Sequence, residues 1–258
     1  PIMENKYLEQ IQRGAKCANF YDATKEVLSR LKKPTTQIEN QSHALLFVEK
    51  SRYDFWRCYF YIQDIAKVNW AIFKEKALIA EIVVRKSKIE KWKSILEAFE
   101  KNGAFKIYDA YMRFAKELPE TTFKNLDFSN IQTSQEEDLA TIQQLIETNF
   151  NSYSDKIPSV DELKFLTKST FLIKEKGEIV AFFITEKKGT TLEFRYWLVL
   201  EQYRGRRYGE RLINRVLTHD PEIRRVTSWI SQKNKSVIRA HKKLGFKEDG
   251  LINYILYR

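Results

Sequence analysis

The chain has 258 residues, of which 43% are hydrophobic and 31% are charged, and its formal net charge is +11. This composition is ordinary for a folded protein with one large domain or two small ones, and it excludes wholesale disorder and low-complexity structure. The sequence contains no run of about 18 apolar residues, so we expect no membrane span.

Residues 1–125 are predicted to form an α/β domain. Apolar residues recur at helical spacing over 4–33, until KKPTT ends the helix. From Ala44 onward the segments are short, β-branched and aromatic, which is typical of strands. The predicted strands are 44–50, 54–64, 69–74, 77–85 and 105–114, with a helix over 88–103 that Gly103 closes. Residues 117–128 have the polar, Pro-containing character of a linker, which places the domain boundary between residues 125 and 126.

Residues 126–258 are predicted to form a second domain. NIQTS opens it as a strand, and Ser134 with Glu137 matches a capping box before a helix over 135–150. A second, short helix is predicted at VDELKFL. The remaining predicted elements, in chain order, are strands 170–176, 178–188 and 191–200, helix 209–219, strand 224–231, helix 235–245 and a closing hairpin 246–258.

Two segments of the chain resemble one another. SILEAFEKNGAFKIYDAYMRF in the first half and SVIRAHKKLGFKEDGLINYILY at the end of the second half both read as helix, glycine, aromatic residue and strand. The match needs a one-residue gap, so chance similarity and a tandem of two related units both remain open. In the tandem interpretation, only the second unit keeps a basic glycine-containing loop.

The cysteines and histidines are too scattered for a metal site or a disulfide framework. Cys17 and Cys58 form no CxxC pair, and His43, His219 and His241 lie far apart in the sequence. We therefore predict no metal ion. The first residues lack the apolar core of a signal peptide, and a reduced, cytoplasmic setting is the simplest one for two single cysteines.

The positive charge is spread along the chain. Residues 1–125 carry 23 Lys and Arg against 16 Asp and Glu, and the remaining residues carry 22 against 18. A basic tail or a basic helical stripe is missing from the sequence, so we expect no nucleic-acid partner. A basic chain of this kind suits other polyanions, including a nucleotide-bearing cofactor or an acidic carrier protein.

LEQYRGRRYGERL, residues 200–212, joins an apolar strand to an amphipathic helix. The start of a helix presents unpaired backbone N–H groups and the positive end of the helix dipole, and glycine lets a phosphate approach the backbone. The residues therefore predict a pyrophosphate site, with a solvated basic turn as the alternative. A Walker P-loop is excluded because no Gly-Lys-Ser/Thr follows, and the glycine spacing does not fit a Rossmann fingerprint.

Two motifs in the second half resemble those of the GCN5-related N-acetyltransferase (GNAT) superfamily. VLEQYRGRRYGERLI resembles its motif A, Gln/Arg-x-x-Gly-x-Gly/Ala, and NKSVIRAHKKLGF resembles its motif B. The motif A pattern falls on Arg204, Gly205, Arg206, Arg207, Tyr208 and Gly209, and the motif B pattern falls on Asn234, Leu244, Gly245 and Phe246. The chain departs from the family twice: Arg207 replaces the middle glycine, and His241 replaces the usual tyrosine.

The resemblance implies a GNAT fold, in which helices flank a central, mixed and mostly antiparallel sheet, preceded here by the α/β domain of residues 1–125. It also implies acetyl-CoA as cosubstrate. The implied coenzyme A contacts are the strand end Leu198, Val199 and Leu200, the loop residues Arg204, Gly205, Arg206, Arg207, Tyr208 and Gly209, and Asn234. The pyrophosphate is expected on backbone N–H groups of the loop, and a backbone N–H at the strand end is expected to stabilise the oxyanion.

The implied activity is N-acetyl transfer to an amine-bearing acceptor by direct attack, without a covalent enzyme intermediate. Glu193 is the candidate base, because alternation along TLEFRYWLV places it on the side of Arg195, Trp197 and Val199. The other interpretation of Glu193 is a solvated strand carboxylate or a partner for Arg195. His241 is the candidate acid for the departing thiolate, and a surface histidine on a lysine-rich helix is its alternative.

Three alternatives remain open from the sequence. The domain could hold coenzyme A or an acyl carrier without transfer, or it could take a longer acyl group from a thioester or a carrier protein. A nucleic-acid module is the third, and the salt dependence of binding would separate it from the others. The residues leave the identity of the acceptor and the oligomeric state open.

Overall fold

A computed structural model describes residues 5–20, 24–118, 126 and 128–258. The chain divides into two compact units. Unit 1 contains residues up to Met112 together with Ser231–Lys233 and Gly250–Arg258, and unit 2 contains Arg113–Ile230 and Asn234–Asp249. The predicted linker 117–128 lies largely outside the described residues, so a domain boundary between residues 125 and 126 stays a prediction.

Unit 1 consists of helices and a sheet, as predicted. Its elements are α1 (Asn5–Gly14), β1 (Cys17–Ala18), α2 (Thr24–Leu31), β2 (Thr36–Gln41), β3 (Ala44–Lys50), β4 (Trp56–Ile62), β5 (Leu78–Arg85), α3 (Ile89–Gly103) and the first part of β6 (Lys106–Glu117). The strands are consecutive in the order β2, β3, β4 and β5, and β5 pairs antiparallel with residues 251–257 at the end of the chain. Strands β4 and β5 pair in parallel at Trp56–Arg57.

An aromatic cluster fills the core of unit 1 beneath α3. Phe99 is fully buried, and its ring lies 5.1 Å from Phe60, 5.7 Å from Trp70 and 5.6 Å from Phe105. These rings come from α3, β4, the 3₁₀ turn Trp70–Phe73 and the connection before β6. These four aromatic residues therefore serve as core, which is the common role of such side chains.

Two sequence predictions for unit 1 are wrong. The single helix over 4–33 is replaced by α1 and α2, because β1 intervenes and pairs antiparallel with β4. The strand predicted over 69–74 is a 3₁₀ turn, Trp70–Phe73, because the Asn69 side chain caps it by accepting the Ala71 N–H at 3.0 Å. Strand β2 was not predicted at all, since its polar sequence TQIENQ carries little apolar signal.

Unit 2 follows the predicted order of elements up to its last strand. Its elements are β7 (Ile131–Thr133), α4 (Leu139–Asn149), α5 (Val160–Lys164), β8 (Thr170–Glu175), β9 (Glu178–Lys188), β10 (Thr191–Val199), α6 (Tyr208–His219), β11 (Arg225–Ser231), α7 (Lys235–Lys243) and the beginning of β12 (Lys247–Tyr257). The strand order is β11, β10, β9, β8 and β7. Strands β7 to β10 pair antiparallel, whereas β10 and β11 pair in parallel.

Strand β10 contains a β-bulge at Arg195. Phe194 pairs with Thr185 of β9 and Tyr196 with the adjacent Ile184, so Arg195 has no partner in the register. A bulge reverses the alternation of side chains beyond it. As a result Phe194 and Trp197, three residues apart, share one face of the sheet: Trp197 pairs with Phe183, and the two rings are stacked with centroids 5.0 Å apart.

Two details of unit 2 differ from the sequence predictions. The capping box lies one residue later than Ser134 and Glu137: the Gln135 N–H donates to Asp138 at 2.9 Å, whereas the buried Ser134 hydroxyl donates to the Thr167 carbonyl at 3.2 Å. The predicted closing hairpin is a single strand, β12, that passes through Gly250 without turning.

No helix in residues 5–20, 24–118, 126 and 128–258 is long and apolar enough to cross a membrane. Across that same part of the chain, no group of three or more His, Cys, Asp or Glu residues is arranged to hold a metal ion.

We expect the substitution Phe99→Ala to lower the free energy of unfolding by about 3–5 kcal/mol, because it removes a buried ring from a closely packed cluster. The same substitution at Phe165, whose side chain is 89% exposed, should change it by less than about 0.5 kcal/mol. Urea denaturation of both variants and of the wild type measures the difference. Equal losses would contradict the assignment of Phe99 to the core.

Candidate active site

The loop between β10 and α6 is shaped by two residues in the left-handed region. Glu201–Tyr203 form a 3₁₀ turn, after which Gly205 has φ +83° and Arg207 has φ +63°. A Cβ on Gly205 would have no heavy atom within 4 Å, so the backbone there is open to a ligand. Arg207, in place of the middle glycine of the motif, adopts a conformation that costs a non-glycine residue about 1–2 kcal/mol.

The first turn of α6 presents backbone donors. The Arg211 N–H is bonded to the Arg207 carbonyl at 3.0 Å, which closes the first helical turn. The N–H groups of Tyr208, Gly209 and Glu210 precede that bond, so they have no acceptor within the helix. Together with the helix dipole they form a site that favours an anion. The pyrophosphate site expected from the sequence stays a prediction.

Two of the three arginines in the loop are held by carboxylates. Arg206 donates to both oxygens of Glu175, at 3.1 and 3.2 Å, and the Tyr208 hydroxyl donates to the same carboxylate. Arg207 donates to both oxygens of Glu210, at 2.9 and 2.7 Å. Arg204 is exposed and forms no ion pair with any residue that the structure describes. The loop is therefore less basic than its sequence suggests.

The end of β10 offers backbone rather than side-chain groups. The Leu200 N–H donates to the Val180 carbonyl of β9 at 3.0 Å. Successive residues of an antiparallel strand point their N–H groups to opposite edges, so the Val199 N–H points away from β9. On that side β10 pairs with β11 over residues 191–194, which lie opposite residues 225–228. Within the described residues this pairing ends at Phe194. The Leu198 side chain is buried in the core and presents no group to this edge.

Gly209 lies in close contact with Trp197. A Cβ at Gly209 would lie 3.1 Å from Cζ2 of the Trp197 indole. The indole therefore packs directly against the first turn of α6, and this contact explains the glycine without invoking a ligand. Trp197 was identified in the sequence only as a member of the strand. Its contact with the loop depends on the bulge and carries no local sequence signal.

His241 lies in the core of unit 2, 2% exposed. Its ring is surrounded by aromatic residues, with centroids 5.0 Å from Phe246 and 5.9 Å from Trp197. Burial lowers the pKa of the imidazole below its usual range, although the hydrogen bond to the Val237 carbonyl opposes this shift. That carbonyl can only accept, so Nδ1, at 3.0 Å, carries the proton of the neutral ring. Nε2 then presents a lone pair, and it is buried without a hydrogen-bond partner among the described residues.

Glu193 lies on the opposite face from the one predicted. It pairs with Glu186 of β9, before the bulge, and thus shares a face with Tyr196 and Leu198 rather than with Trp197 and Val199. Its carboxylate accepts from Lys188 at 3.1 Å and from Arg195 at 3.1 Å. The prediction that Glu193 lies beside Trp197 is therefore wrong, and its role as a base stays a prediction.

Asn234 caps α7. Its side-chain oxygen accepts the Val237 N–H at 3.2 Å and the Ser236 hydroxyl at 3.0 Å. This is the usual structural role of Asn at a helix start. Contact between Asn234 and coenzyme A remains a prediction.

The residues present at the loop fit a coenzyme A pyrophosphate. The open space at Gly205, the N–H groups at the start of α6 and the outward N–H of Val199 are three features that a ligand with a phosphate group and an amide-bearing arm would use. The structure also adds Glu175, which the sequence does not predict. It lies far from the loop in sequence and ends a strand with the ordinary pattern KEKG, so the sequence gives no signal for its position.

We predict that the free energy of unfolding depends less on pH in His241→Phe than in the wild type. The unfolded state binds a proton near pH 6.5, whereas the folded state binds it only at lower pH, so acidification below about 6.5 favours unfolding by up to ~1.4 kcal/mol per pH unit. Urea denaturation between about pH 7.5 and about pH 5.5 measures this slope. The control is His43→Phe, which keeps both His241 and His219. Identical slopes in the wild type and His241→Phe would show that His241 has its ordinary pKa.

We expect Gly209→Ala to destabilise the protein by about 1–3 kcal/mol, because the added methyl group displaces the Trp197 indole. In a Trp197→Phe background the same substitution should cost less, since the smaller ring leaves room for the methyl group. The free energies of unfolding of the wild type, the two single variants and the double variant form a double-mutant cycle. If the two substitutions are additive, the contact does not explain this glycine.

Comparison with known proteins identifies the second unit. The model of the acetyltransferase (GNAT) family matches residues 139–246, which include β8 to β11 and the helices α4 to α7. None of the curated proteins matches the chain.

Solved structures show the fold of a longer part of the chain. A GCN5-related N-acetyltransferase from Sphaerobacter thermophilus is 15% identical, with 91% of this chain and 84% of that chain covered and a TM-score of 0.61. A tandem GNAT protein from the clavulanic acid biosynthesis pathway is 12% identical, with 98% and 93% covered and a TM-score of 0.58. A GCN5-related N-acetyltransferase from Kribbella flavida is 13% identical, with 86% and 89% covered and a TM-score of 0.55. The predicted GNAT fold, preceded by a second α/β domain, is confirmed, and residues 139–246 match the model of the GNAT acetyltransferase family.

Proposed function

We propose that the protein is an acetyl-CoA-dependent N-acetyltransferase that moves an acetyl group to a primary amine by direct attack. The observation that carries this proposal is the convergence of backbone donors at one end of β10. The first turn of α6 presents N–H groups to an anion, and Val199 presents an N–H at the neighbouring strand edge. The family match of the same unit supports acyl transfer as the kind of chemistry.

Backbone groups would hold the cosubstrate. The N–H groups of Tyr208, Gly209 and Glu210 would bind its pyrophosphate, and the open backbone at Gly205 would let the phosphates approach. Acetyl-CoA supplies an activated acyl group as a thioester. The edge of β10 beyond Phe194, where the register with β11 has ended, would take the amide-bearing arm as an added strand.

The Val199 N–H would assist the chemical step. A backbone donor held in a fixed strand stabilises negative charge as it develops on a carbonyl oxygen, and such a preorganised donor contributes about 3–4 kcal/mol in other acyl-transfer enzymes. The amine nitrogen forms the new bond to the carbonyl carbon, and the carbon–sulfur bond breaks with its electron pair on sulfur. Positioning supplies much of the remaining acceleration.

Neither candidate side chain is well placed for the proton transfers. Glu193 would have to leave Lys188 and Arg195 before it could accept the proton of the amine. His241 in its neutral form carries its proton on Nδ1, which faces Val237, and so has none to give at Nε2. We therefore propose that water carries both protons, with the attacking amine arriving neutral, and that Glu193 and His241 act through packing and charge.

A binding module that holds coenzyme A or an acyl carrier without transfer is the second candidate function. It is favoured by the neutralised arginines of the loop and by the burial of His241, which occupies the position of the family's usual tyrosine. An acyltransferase that uses a longer thioester shares the same loop. Release of free thiol from acetyl-CoA in the presence of a panel of amines separates catalysis from binding alone.

We expect Gly205→Asp to weaken acetyl-CoA binding by more than about tenfold, because the carboxylate enters the space where a phosphate would lie. The matched control is Gly189→Asp. Gly189 also has a positive φ, and a Cβ there also meets no atom within 4 Å, but it lies in the turn between β9 and β10 at the opposite end of the strands. Calorimetric titration of acetyl-CoA into the wild type and both variants measures the effect.

Tight binding by the wild type and Gly189→Asp with loss in Gly205→Asp would support the proposal. If the wild type fails to bind acetyl-CoA even at millimolar concentration, the proposal is wrong. If it binds but releases no thiol with any amine of the panel, the binding module becomes the better interpretation.

A further inference from the structure

Glu175 brings a negative charge to a loop that would bind phosphates. We propose that Glu175 is a built-in competitor for the pyrophosphate: it holds Arg206 and Tyr208 away from the ligand, lowers the affinity for acetyl-CoA and coenzyme A alike, and so favours release of the product. This inference rests on the proposed function, since it concerns the same loop.

The contacts of Glu175 occupy groups that would otherwise bind an anion. The guanidinium of Arg206 donates to both carboxylate oxygens, and the hydroxyl of Tyr208, the first residue of α6, donates to one of them. Both bonds come from one guanidinium nitrogen, Nη1, and charge-assisted hydrogen bonds of this kind form with carboxylate and phosphate alike. A phosphate bound at the start of α6 must therefore displace the Glu175 carboxylate from these donors or lie beside that negative charge.

The position of Glu175 is fixed by its hairpin. Strands β8 and β9 are joined by the two-residue turn Lys176–Gly177, in which both residues have positive φ. Glu175 and Glu178 face each other across the end of this hairpin in register. The Glu175 side chain is 28% exposed, whereas Glu178 is an exposed residue outside the contacts of the loop. The carboxylate is thus built into a rigid element and does not depend on a flexible segment.

The charges around the loop nearly balance one another. The loop, the first turn of α6 and the turn of the neighbouring hairpin carry five basic residues (Arg204, Arg206, Arg207, Arg211 and Lys176) and four carboxylates (Glu175, Glu178, Glu201 and Glu210). With so small a net charge, attraction of a polyanion to this loop rests largely on the backbone N–H groups. Removal of the Glu175 charge makes the loop more positive and frees the donors of Arg206.

A weaker hold on the pyrophosphate has a kinetic consequence. Acetyl-CoA and the product coenzyme A carry the same pyrophosphate, so a contact that weakens one weakens the other. Such uniform binding changes the affinity of both without affecting the chemical step. Where product release limits turnover, lower affinity at this loop raises the rate.

The test compares Glu175→Gln with Glu178→Gln. Both substitutions remove one carboxylate charge from the same hairpin, but only the first releases Arg206. Titration of inorganic pyrophosphate, acetyl-CoA and coenzyme A into the wild type and both variants is followed by calorimetry. We expect Glu175→Gln to bind each ligand about two- to fivefold more tightly than the wild type, and Glu178→Gln to bind as the wild type does.

A double-mutant cycle with Arg206→Gln assigns the effect to the ion pair. In the Arg206→Gln background, the additional change Glu175→Gln should give a clearly smaller gain, because no guanidinium is released. Weaker binding by Glu175→Gln would overturn the inference, since it is the result expected if Glu175 only supports the loop. Equal gains in Glu175→Gln and Glu178→Gln would overturn it as well, because general charge would then explain both.

The outcome is separable from that of the proposed function. If acetyl-CoA does not bind to the wild type while pyrophosphate binds and responds to Glu175→Gln as expected, the proposed function fails and the competitor role stands. If acetyl-CoA binds and turns over but none of the three ligands responds to Glu175→Gln, the proposed function stands and the competitor role fails.

Discussion

The bulge at Arg195 is the constraint on which the arrangement of unit 2 depends. One residue without a partner in β10 reverses the alternation of side chains beyond it. Trp197 consequently packs on the same face as Phe194, against the first turn of α6 and beside His241 of α7. Glu193 is left on the other face. The pairing of β10 with β11 also ends at Phe194. The bulge therefore marks the position after which one edge of β10 is no longer paired with β11.

The candidate site consists mainly of backbone. Its donors are N–H groups of the strand end and of the helix start, whose directions are set by secondary structure rather than by side-chain rotamers. The charged side chains nearby largely neutralise one another, so the basic sequence of the loop does not translate into a free positive surface. Unit 1 lacks this arrangement, because β4 is followed by two short 3₁₀ turns where β10 is followed by the 12-residue helix α6. The similar strand order of the two units nevertheless supports the tandem interpretation of the internal sequence match.

The sequence predicted those features that depend on local patterns. The strands of unit 2, the helices α6 and α7 and the glycine-containing loop all carry strong periodicity or turn signals, and their order matched apart from the last hairpin. The face on which Glu193 lies was not predictable in the same way, because a single inserted residue reverses alternation without changing the pattern of residue types. The burial of His241 and the contact of Glu175 with the loop depend on elements distant in sequence. The lysine-rich sequence of α7 suggests an exposed helix, so it gives no sign that His241 is buried. The His241 ring faces the core, whereas the neighbouring lysines face solvent.

Two strands, β6 and β12, have residues in both compact units. Strand β6 begins in unit 1 and ends in unit 2, and β12 begins in unit 2 and ends in unit 1. A fragment that stops before residue 126 would lack the segment that pairs with β5 and would expose the apolar edge of that strand. Such edges recruit other chains and lead to aggregation. Although the sequence divides into two similar halves, neither half contains all of the residues of one unit, so a cut between residues 125 and 126 removes part of both units.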